Sequence, residues 1–178
     1  MTLSTVASVI GVISDTHGLL RPEAIAALLG TDLIVHAGDI GAEAVLQRLG
    51  EIAPVIAIRG NNDRDAWAAS LPEVVVTEIA GARVCVIHEV KKLPFDPVKE
   101  GLDVVIYGHS HRPCVARREQ VLLLNPGSAG PRRFTLPIAL ARLHVAASGL
   151  SVEAGELDTG VHGAFTFRSC EEAGRNLG

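Results

Sequence analysis

Three apolar segments in the first third of the chain each run into a polar, glycine-punctuated loop, and this repeat constrains the fold more than any other feature of the sequence. The segments are 6–13, 32–36 and 54–58, and helix-forming stretches at 24–29 and 43–49 separate them. Short runs rich in Val and Ile indicate buried strands, and strand–loop–helix alternation is typical of a parallel sheet. Because the carboxyl ends of parallel strands share one edge, the three loops are predicted to meet there.

The pattern changes after the third segment, where short strands follow one another with compact turns between them. The glycine-rich segment 159–178 loses this periodicity, and we expect it to be a peripheral or frayed tail after a single domain spanning 1–158. One helix is expected near 97–100. The strands are predicted at 74–79, 83–87, 104–107, 115–117 and 121–124, followed by a hairpin formed by 137–145 and 150–157.

The composition argues against several classes of partner. A net charge of -4 gives the chain no general attraction to phosphate polymers, and 3% aromatic residues leave few rings on which bases could stack, so a nucleic-acid partner is not expected. The apolar run 6–13 is too short to span a bilayer, and because the N-terminal residues lack the charged and apolar regions of a secretory leader, none is expected. The three cysteines form no CxxC pair, which argues against a disulfide framework. We therefore expect a cytoplasmic protein with no membrane partner, and the sequence leaves a homo-oligomer open.

Side chains that bind divalent cations follow the predicted strands. Each fragment alone is typical of an ordinary turn, and only their order and placement together indicate a metal site. Carboxylate, amide and imidazole ligands suit Mn²⁺, Fe²⁺, Co²⁺, Ni²⁺ or Zn²⁺. The set is too large for one tetrahedral ion and fits two ions, about 3.5–4 Å apart, that clamp a phosphoryl group and activate a water between them. The candidates are Asp15, His17, Asp39, Asn61, Asp63, His88, His109 and His111.

Five short motifs resemble, in their order along the chain, those of the calcineurin-like metallophosphoesterases. They are Asp15-Thr16-His17, Gly38-Asp39, Gly60-Asn61-Asn62-Asp63, His88 and Gly108-His109-Ser110-His111. A further segment is similar to the corresponding segment of the small single-domain, YfcE-type phosphodiesterase branch of that family. It consists of Asn125-Pro126-Gly127-Ser128 followed by Pro131-Arg132. The resemblance covers about residues 6 to 157. It implies an α/β fold, a four-layer α/β/β/α sandwich of two mixed β-sheets flanked by helices.

The resemblance also implies the ligands and the reaction. Asp15, His17 and His111 would hold one ion, and Asn61, His88 and His109 the other. Asp39 would bridge both. The expected cofactors are two divalent ions, Mn²⁺ in the first place with Ni²⁺, Fe²⁺, Co²⁺ or Zn²⁺ as alternatives. The expected activity is hydrolysis of a small phosphate ester, a diester in the first place, by a metal-bridging hydroxide.

Two positions depart from the family pattern. Many relatives place His where this chain has Asn62, which cannot donate a proton at neutral pH but can donate an amide hydrogen bond to phosphate. The small branch continues Gly-His after the histidine that corresponds to His88, whereas this chain has Glu89, with Lys91 and Lys92 near enough in sequence to compensate its charge. Diester and monoester substrates therefore both stay open.

Several residues carry weaker predictions. Asn62 and Asp63 join Asp39 and Asn61 as candidate catalytic residues, with Asp63 orienting its neighbours. Support of the site or contact with substrate is predicted for His36, Asn125, Ser128 and Arg132.

Two alternatives to an enzyme acting on small phosphate esters remain. One is a non-catalytic interaction scaffold, since the retromer scaffold subunit resembles the same fold. The other is a nuclease, which a short, acidic, aromatic-poor chain disfavours.

Overall fold

The structure is a computed structural model that describes residues 8–157 and the backbone of Phe165–Phe167. Its first part confirms the predicted alternation of strands and helices. The elements are β1 (Ser8–Ile13), α1 (Pro22–Leu28), β2 (Leu33–His36), α2 (Glu43–Gly50) and β3 (Val55–Ala57). Strands β1, β2 and β3 pair side by side and in parallel, so their carboxyl ends lie at one edge of the sheet.

Both helices pack on the outer face of this sheet through small and branched apolar residues. Helix α1 begins at Pro22, whose fixed φ suits the first turn, and it buries Ala24, Ala27 and Leu28. Helix α2 buries Val45 and Leu49, and it includes Gly50, one residue beyond the predicted stretch 43–49.

The remaining strands complete two mixed sheets. The strands are β4 (Val74–Ile79), β5 (Ala82–Ile87), β6 (Val104–Ile106), β7 (Cys114–Arg118), β8 (Val121–Asn125), β9 (Ala139–Ala146), β10 (Gly149–Leu157) and β11 (Phe165–Phe167). In the second sheet the order is β4-β5-β6-β8-β7, with β5, β6 and β8 parallel. The predicted hairpin, β9 and β10, joins the first sheet, where β9 runs antiparallel to β1 and gives the order β11-β10-β9-β1-β2-β3.

The two sheets pack face to face over a common apolar core. Side chains such as Val12, Val35, Val86 and Ile106 point into this core, and their neighbours along each strand point outward into two flanking clusters. Strands buried on both faces need near-continuous apolar sequence, which explains why the runs read as uninterrupted Val, Ile and Leu. The sandwich confirms the predicted fold class.

The outer layer of the second sheet differs from the expectation of a helix near 97–100. That prediction is wrong, because the segment makes only one helical turn, in which the Glu100 N–H donates to the Asp96 carbonyl at 3.0 Å. Pro94 and Pro97 remove backbone donors, and Gly101 adopts a left-handed φ of 63°, so a longer helix does not form. Short 3-10 helices at Ala66–Ser70 and Val90–Lys92 were not predicted.

The predicted tail, 159–178, lies outside the described residues except for Phe165–Phe167, which pair with β10. The domain limit at residue 158 therefore stays a prediction. Among the described residues, no helix is long and apolar enough to cross a bilayer.

Candidate metal centre

The loops that follow five strands, from both sheets, meet at one end of the sandwich. Contacts between loops that are far apart in the sequence hold them together: the His109 N–H donates to Asp15 Oδ2 at 3.1 Å, and the Asp15 N–H donates to the Gly38 carbonyl at 3.0 Å. The predicted ligands that these loops bring together are Asp15 and His17 after β1, Asp39 after β2, Asn61 after β3, His88 after β5, and His109 and His111 after β6.

Five of these side chains are presented from left-handed backbone, a conformation that non-glycine residues rarely adopt. Such strain persists only where surrounding contacts enforce it, and it concentrates at functional sites. The residues, with φ between 46° and 69°, are Asp15, His17, Asp39, His109 and His111.

Asp15, His17 and His111 form the inner group of the centre. Asp15 Oδ1 lies 3.2 Å from His111 Nε2 and 3.9 Å from His17 Nε2. The two rings stack with centroids 5.2 Å apart, and their Nε2 atoms are 3.3 Å from each other. One carboxylate oxygen and two imidazole nitrogens therefore face a common point, which is the arrangement a divalent cation requires.

Asn61, His88 and His109 form the outer group. His109 Nδ1 lies 3.2 Å from Asn61 Oδ1, and the rings of His88 and His109 meet edge to face with centroids 5.3 Å apart. The His88 Nδ1–H donates to the Ala37 carbonyl at 2.7 Å. That bond fixes the tautomer, so the Nε2 lone pair is available for a cation.

Asp39 lies between the two groups. Its Oδ2 is 3.3 Å from His88 Nε2 and 3.9 Å from His17 Nε2, so one carboxylate reaches toward both sets of ligands. Asp15 Oδ1 is also 4.0 Å from His88 Nε2. The centre is therefore built around two neighbouring carboxylates rather than around Asp39 alone.

Both carboxylates are suited to remain ionised. Burial acts to raise the pKa of Asp15, but the His111 ring and the Ser14 hydroxyl outweigh it and hold that pKa below its ordinary value. Burial likewise acts to raise the pKa of Asp39, and the contacts with His88 and the Asn62 N–H bring it far below the ordinary value.

The pKa values of His17 and His88 shift in opposite directions. Burial lowers the pKa of His17, against the charges of Asp39 and Asp15. For His88, burial also acts to lower the pKa, but Asp39 and the Ala37 carbonyl raise it overall, so a proton competes with a cation for this ring more strongly than it does at an ordinary imidazole.

Three buried atoms of the candidate ligands have no hydrogen-bond partner within the described part of the chain, and they are His111 Nδ1, Asp15 Oδ1 and His88 Nε2. Asp15 Oδ1 and His88 Nε2 lie 4.0 Å apart and face the interior of the centre. Leaving a buried polar atom unsatisfied costs about 1–3 kcal/mol, and more when it is charged. A cation bound between them would remove that cost, so the residues present fit divalent metal ions.

The chain matches the family model described as the calcineurin-like phosphoesterase superfamily domain over residues 9–148. The chain belongs to this superfamily. A probable metallophosphoesterase of Methanothermobacter thermautotrophicus is 39% identical over 72% of this chain and 81% of the relative. A protein of Methanocaldococcus jannaschii named a phosphodiesterase is 30% identical over 66% of this chain and 82% of the relative.

Solved structures also share the fold. A Vps29 of Entamoeba histolytica in complex with Zn²⁺ is 21% identical and superposes with a TM-score of 0.70, covering 86% of this chain and 94% of that chain. At this identity the likeness concerns the fold alone.

Two glycines of the phosphoesterase motifs permit the close approach of the loops. A Cβ on Gly60 would collide with Asp39 Oδ1, and a Cβ on Gly108 would collide with the Ser14 hydroxyl. That hydroxyl donates to Asp15 Oδ2 at 2.6 Å. Sequence reasoning missed Ser14, although its place at the end of an apolar strand beside Asp15 is a signal that could have found it.

Asn62 is engaged with Asp39 rather than free for substrate. Its backbone N–H donates to Asp39 Oδ1 at 2.9 Å, and its side-chain amide donates to Oδ2 at 2.6 Å. The expected hydrogen bond from this amide to phosphate would require the amide to leave Asp39. As the chain stands, Asn62 fixes the orientation of the central carboxylate.

Asp63 and His36 lie behind the centre. The Asp63 carboxylate accepts the backbone N–H groups of Ile40, Gly41 and Gly60, at 3.0, 2.8 and 2.8 Å, and so joins the loops after β2 and β3. His36 is fully buried and lies 2.9 Å from the Thr16 hydroxyl, while its Nδ1 accepts the Gly38 N–H at 3.2 Å. Burial lowers the pKa of His36 to about 4.

The last residue of β8 and the loop after it support the loops of the centre. The Ser128 hydroxyl donates to the Asp15 carbonyl at 2.9 Å. The Asn125 amide donates to the Gly108 carbonyl at 2.9 Å and to the Ser110 hydroxyl at 3.1 Å. Both side chains therefore hold backbone in place beneath the ligands.

Arg133, rather than the predicted Arg132, reaches the centre. The Arg132 guanidinium donates to the Leu136 carbonyl at 3.2 Å. The Arg133 Nη2 lies 3.4 Å from His17 Nε2, at the edge of the inner group. The sequence could not predict which of the two arginines lies near the centre, because no sequence pattern distinguishes the side-chain directions of adjacent exposed arginines.

Proposed function

We propose that the protein is a phosphodiesterase with two divalent metal ions, Mn²⁺ in the first place, that hydrolyses small phosphate diesters. The observation that carries this proposal is the pair of ligand groups, with Asp39 between them and with buried, unpartnered Asp15 Oδ1 and His88 Nε2 facing the interior. A relative named a phosphodiesterase supports the choice of reaction.

The residues divide into ligands and supports. Asp15, His17 and His111 would hold one ion, Asn61, His88 and His109 the other, and Asp39 both. When bound, two such ions lower the pKa of water and neutralise the oxygens of the phosphoryl group. The protein's own task is positioning, which Asn62, Asp63 and His36 serve by fixing Asp39 and the loops around it.

Arg133 and Asn62 bear on the substrate. The Arg133 guanidinium at the edge of the inner group provides a positive charge where a phosphate would arrive. Asn62 stands where many relatives have histidine, and an amide cannot donate a proton to a departing oxygen. We therefore expect aryl diesters, whose leaving groups need no proton, to react faster than alkyl diesters.

The test is the hydrolysis of bis(p-nitrophenyl) phosphate by the full chain loaded separately with Mn²⁺, Ni²⁺, Co²⁺ or Zn²⁺. Turnover with at least one of these ions, together with binding of two ions per chain, is the expected result. Absence of turnover with all four ions, together with absence of tight metal binding, would overturn the proposal.

A non-catalytic scaffold is the second candidate, because the fold is shared with Vps29. The Zn²⁺ in that structure means that metal binding alone does not separate the two functions. Asp39→Ala separates them, since a scaffold should keep its partner and its cellular role, whereas an esterase should lose activity. A cytoplasmic location, a homo-oligomeric state and the absence of a nucleic-acid partner remain predictions from the sequence.

A further inference from the structure

Glu89 is placed at the open side of the outer group. It follows His88 at the end of β5, and its Oε1 accepts a hydrogen bond from Lys92 Nζ at 2.6 Å. Its other oxygen, Oε2, lies 4.0 Å from His109 Nε2. The Glu89 side chain is 22% exposed against 69% for Lys92, so the carboxylate points inward and the ammonium group holds it from the solvent side.

The same two side chains line a cleft that opens beside the centre. The cleft has a volume of about 260 Å³, and Asn61 and His88 of the outer group line it together with Glu89 and Lys92. A molecule bound at the outer group therefore meets the Glu89 carboxylate.

The cations of this cleft are already engaged by carboxylates. Lys92 is paired with Glu89, and Arg59 with Glu73 at 2.8 Å. The cleft therefore offers no unpaired cation to a second negative charge on the substrate, and it holds the Glu89 carboxylate beside the outer group.

We propose that Glu89, held by Lys92, makes the centre selective for singly charged phosphodiesters by rejecting the second negative charge of phosphomonoesters. This inference rests on the proposed function and names its substrate class. A phosphomonoester carries between one and a half and two negative charges near neutral pH, and a diester carries one. Because Coulomb repulsion scales with charge, a fixed carboxylate repels the monoester about twice as strongly.

The test compares Glu89→Gln with the unchanged chain, both loaded with Mn²⁺ at pH 8. One readout is the ratio of kcat/KM for bis(p-nitrophenyl) phosphate to that for p-nitrophenyl phosphate. The second readout needs no turnover: it is the ratio of dissociation constants, by calorimetry, for phenylphosphonate and its monomethyl ester. We expect Glu89→Gln to shift both ratios about tenfold in favour of the doubly charged ligand.

Three matched variants test the expected direction of the shift in these ratios and provide its controls. Lys92→Met removes the cation that offsets Glu89 and should shift both ratios in the opposite direction. Glu73→Gln removes an exposed carboxylate of the same cleft that is paired with Arg59, and Lys91→Met removes a neighbouring exposed cation. Both should change the ratios by less than about twofold.

Three results would overturn the inference. The first is an unchanged ratio in Glu89→Gln, and the second is an equal shift in Glu73→Gln. The third is loss of a metal ion from Glu89→Gln, which would make Glu89 a ligand instead. If the unchanged chain loaded with Mn²⁺ hydrolyses neither ester, that result counts against the proposed function, and the phosphonate ratios alone decide the role of Glu89.

Discussion

Asp15, His17 and His111 form a group that the fold encloses, whereas Asn61 and His109 of the outer group are open to solvent. The side chains of Asp15, His17 and His111 are 0%, 18% and 6% exposed, while that of His109 is 49% exposed. Buried ligands fixed by neighbouring contacts lose little freedom when an ion binds, and exposed ligands lose more. We therefore expect the inner group to bind its ion tightly and the outer group to bind its ion more weakly, with substrate entering near the outer group.

The largest effect is expected where the two groups join. Asp39→Ala removes the carboxylate that reaches toward both, so both ions should bind poorly, and kcat for the aryl diester should fall about a thousandfold. The measurements are metal content by elemental analysis and steady-state turnover. Asp65→Ala, which removes an exposed carboxylate without a capping bond, should leave both unchanged. Retention of two ions by Asp39→Ala would contradict a shared carboxylate.

Separate substitution of one histidine in each group tests the asymmetry directly. His111→Ala should weaken the tighter class of Mn²⁺ sites about a hundredfold, because the inner group loses a buried ligand. His109→Ala should weaken only the looser class, by about tenfold. Calorimetric titration of the metal-free chain with Mn²⁺ resolves the two classes. If both variants weakened the same class, the division into inner and outer groups would be wrong.

The two adjacent arginines test which side of the centre receives phosphate. Arg133→Ala should raise KM for the aryl diester about tenfold with a smaller change in kcat, since a guanidinium beside His17 aids binding. Arg132→Ala loses only its bond to the Leu136 carbonyl and serves as the control. The measurement is steady-state kinetics over a range of salt concentrations. Equal KM values for the two variants would place phosphate away from Arg133.

The smallest effect concerns the support behind the inner group. Because burial lowers the pKa of His36 to about 4, the unfolded chain binds a proton below about pH 6.5 that the folded chain does not. Stability should therefore fall as the pH falls, by roughly 1 kcal/mol between pH 7.5 and 5.5. The free energy of unfolding in urea of the metal-free His36→Gln variant should lack this part of the pH dependence. Comparing the two chains cancels the contributions of other titrating groups. An identical dependence on pH in both chains would refute the lowered pKa of His36.

Much of the fold was predictable because its signals are local. A run of β-branched residues followed by polar residues and glycine predicts a buried strand that ends in a loop, and β1, β2 and β3 follow this rule. Two apolar stretches, 137–145 and 150–157, with a short connection between them predicted the hairpin of β9 and β10. Its placement beside β1 in the first sheet was not predictable, since either sheet would bury the same apolar residues.

The candidate site divides in the same way. Residue types and their order predicted the candidate ligands, since a carboxylate or imidazole at the end of a strand can be recognised from the local sequence. The hydrogen bonds from Asn62 to Asp39 and from Ser14 to Asp15, and the inward turn of Arg133, depend on which loops become neighbours, and no local pattern encodes that.

The sequence by itself determined the chemistry of this protein's ligands and the strand ends that carry them. Only the tertiary structure decided that the two groups would be unequal. The Ala129 N–H donates to the Ser14 carbonyl at 3.1 Å and Ser128 binds the Asp15 carbonyl, so a segment more than a hundred residues away in sequence closes over the inner group. His109 remains 49% exposed, because the exposure of a ligand is set by distant chain that packs against it.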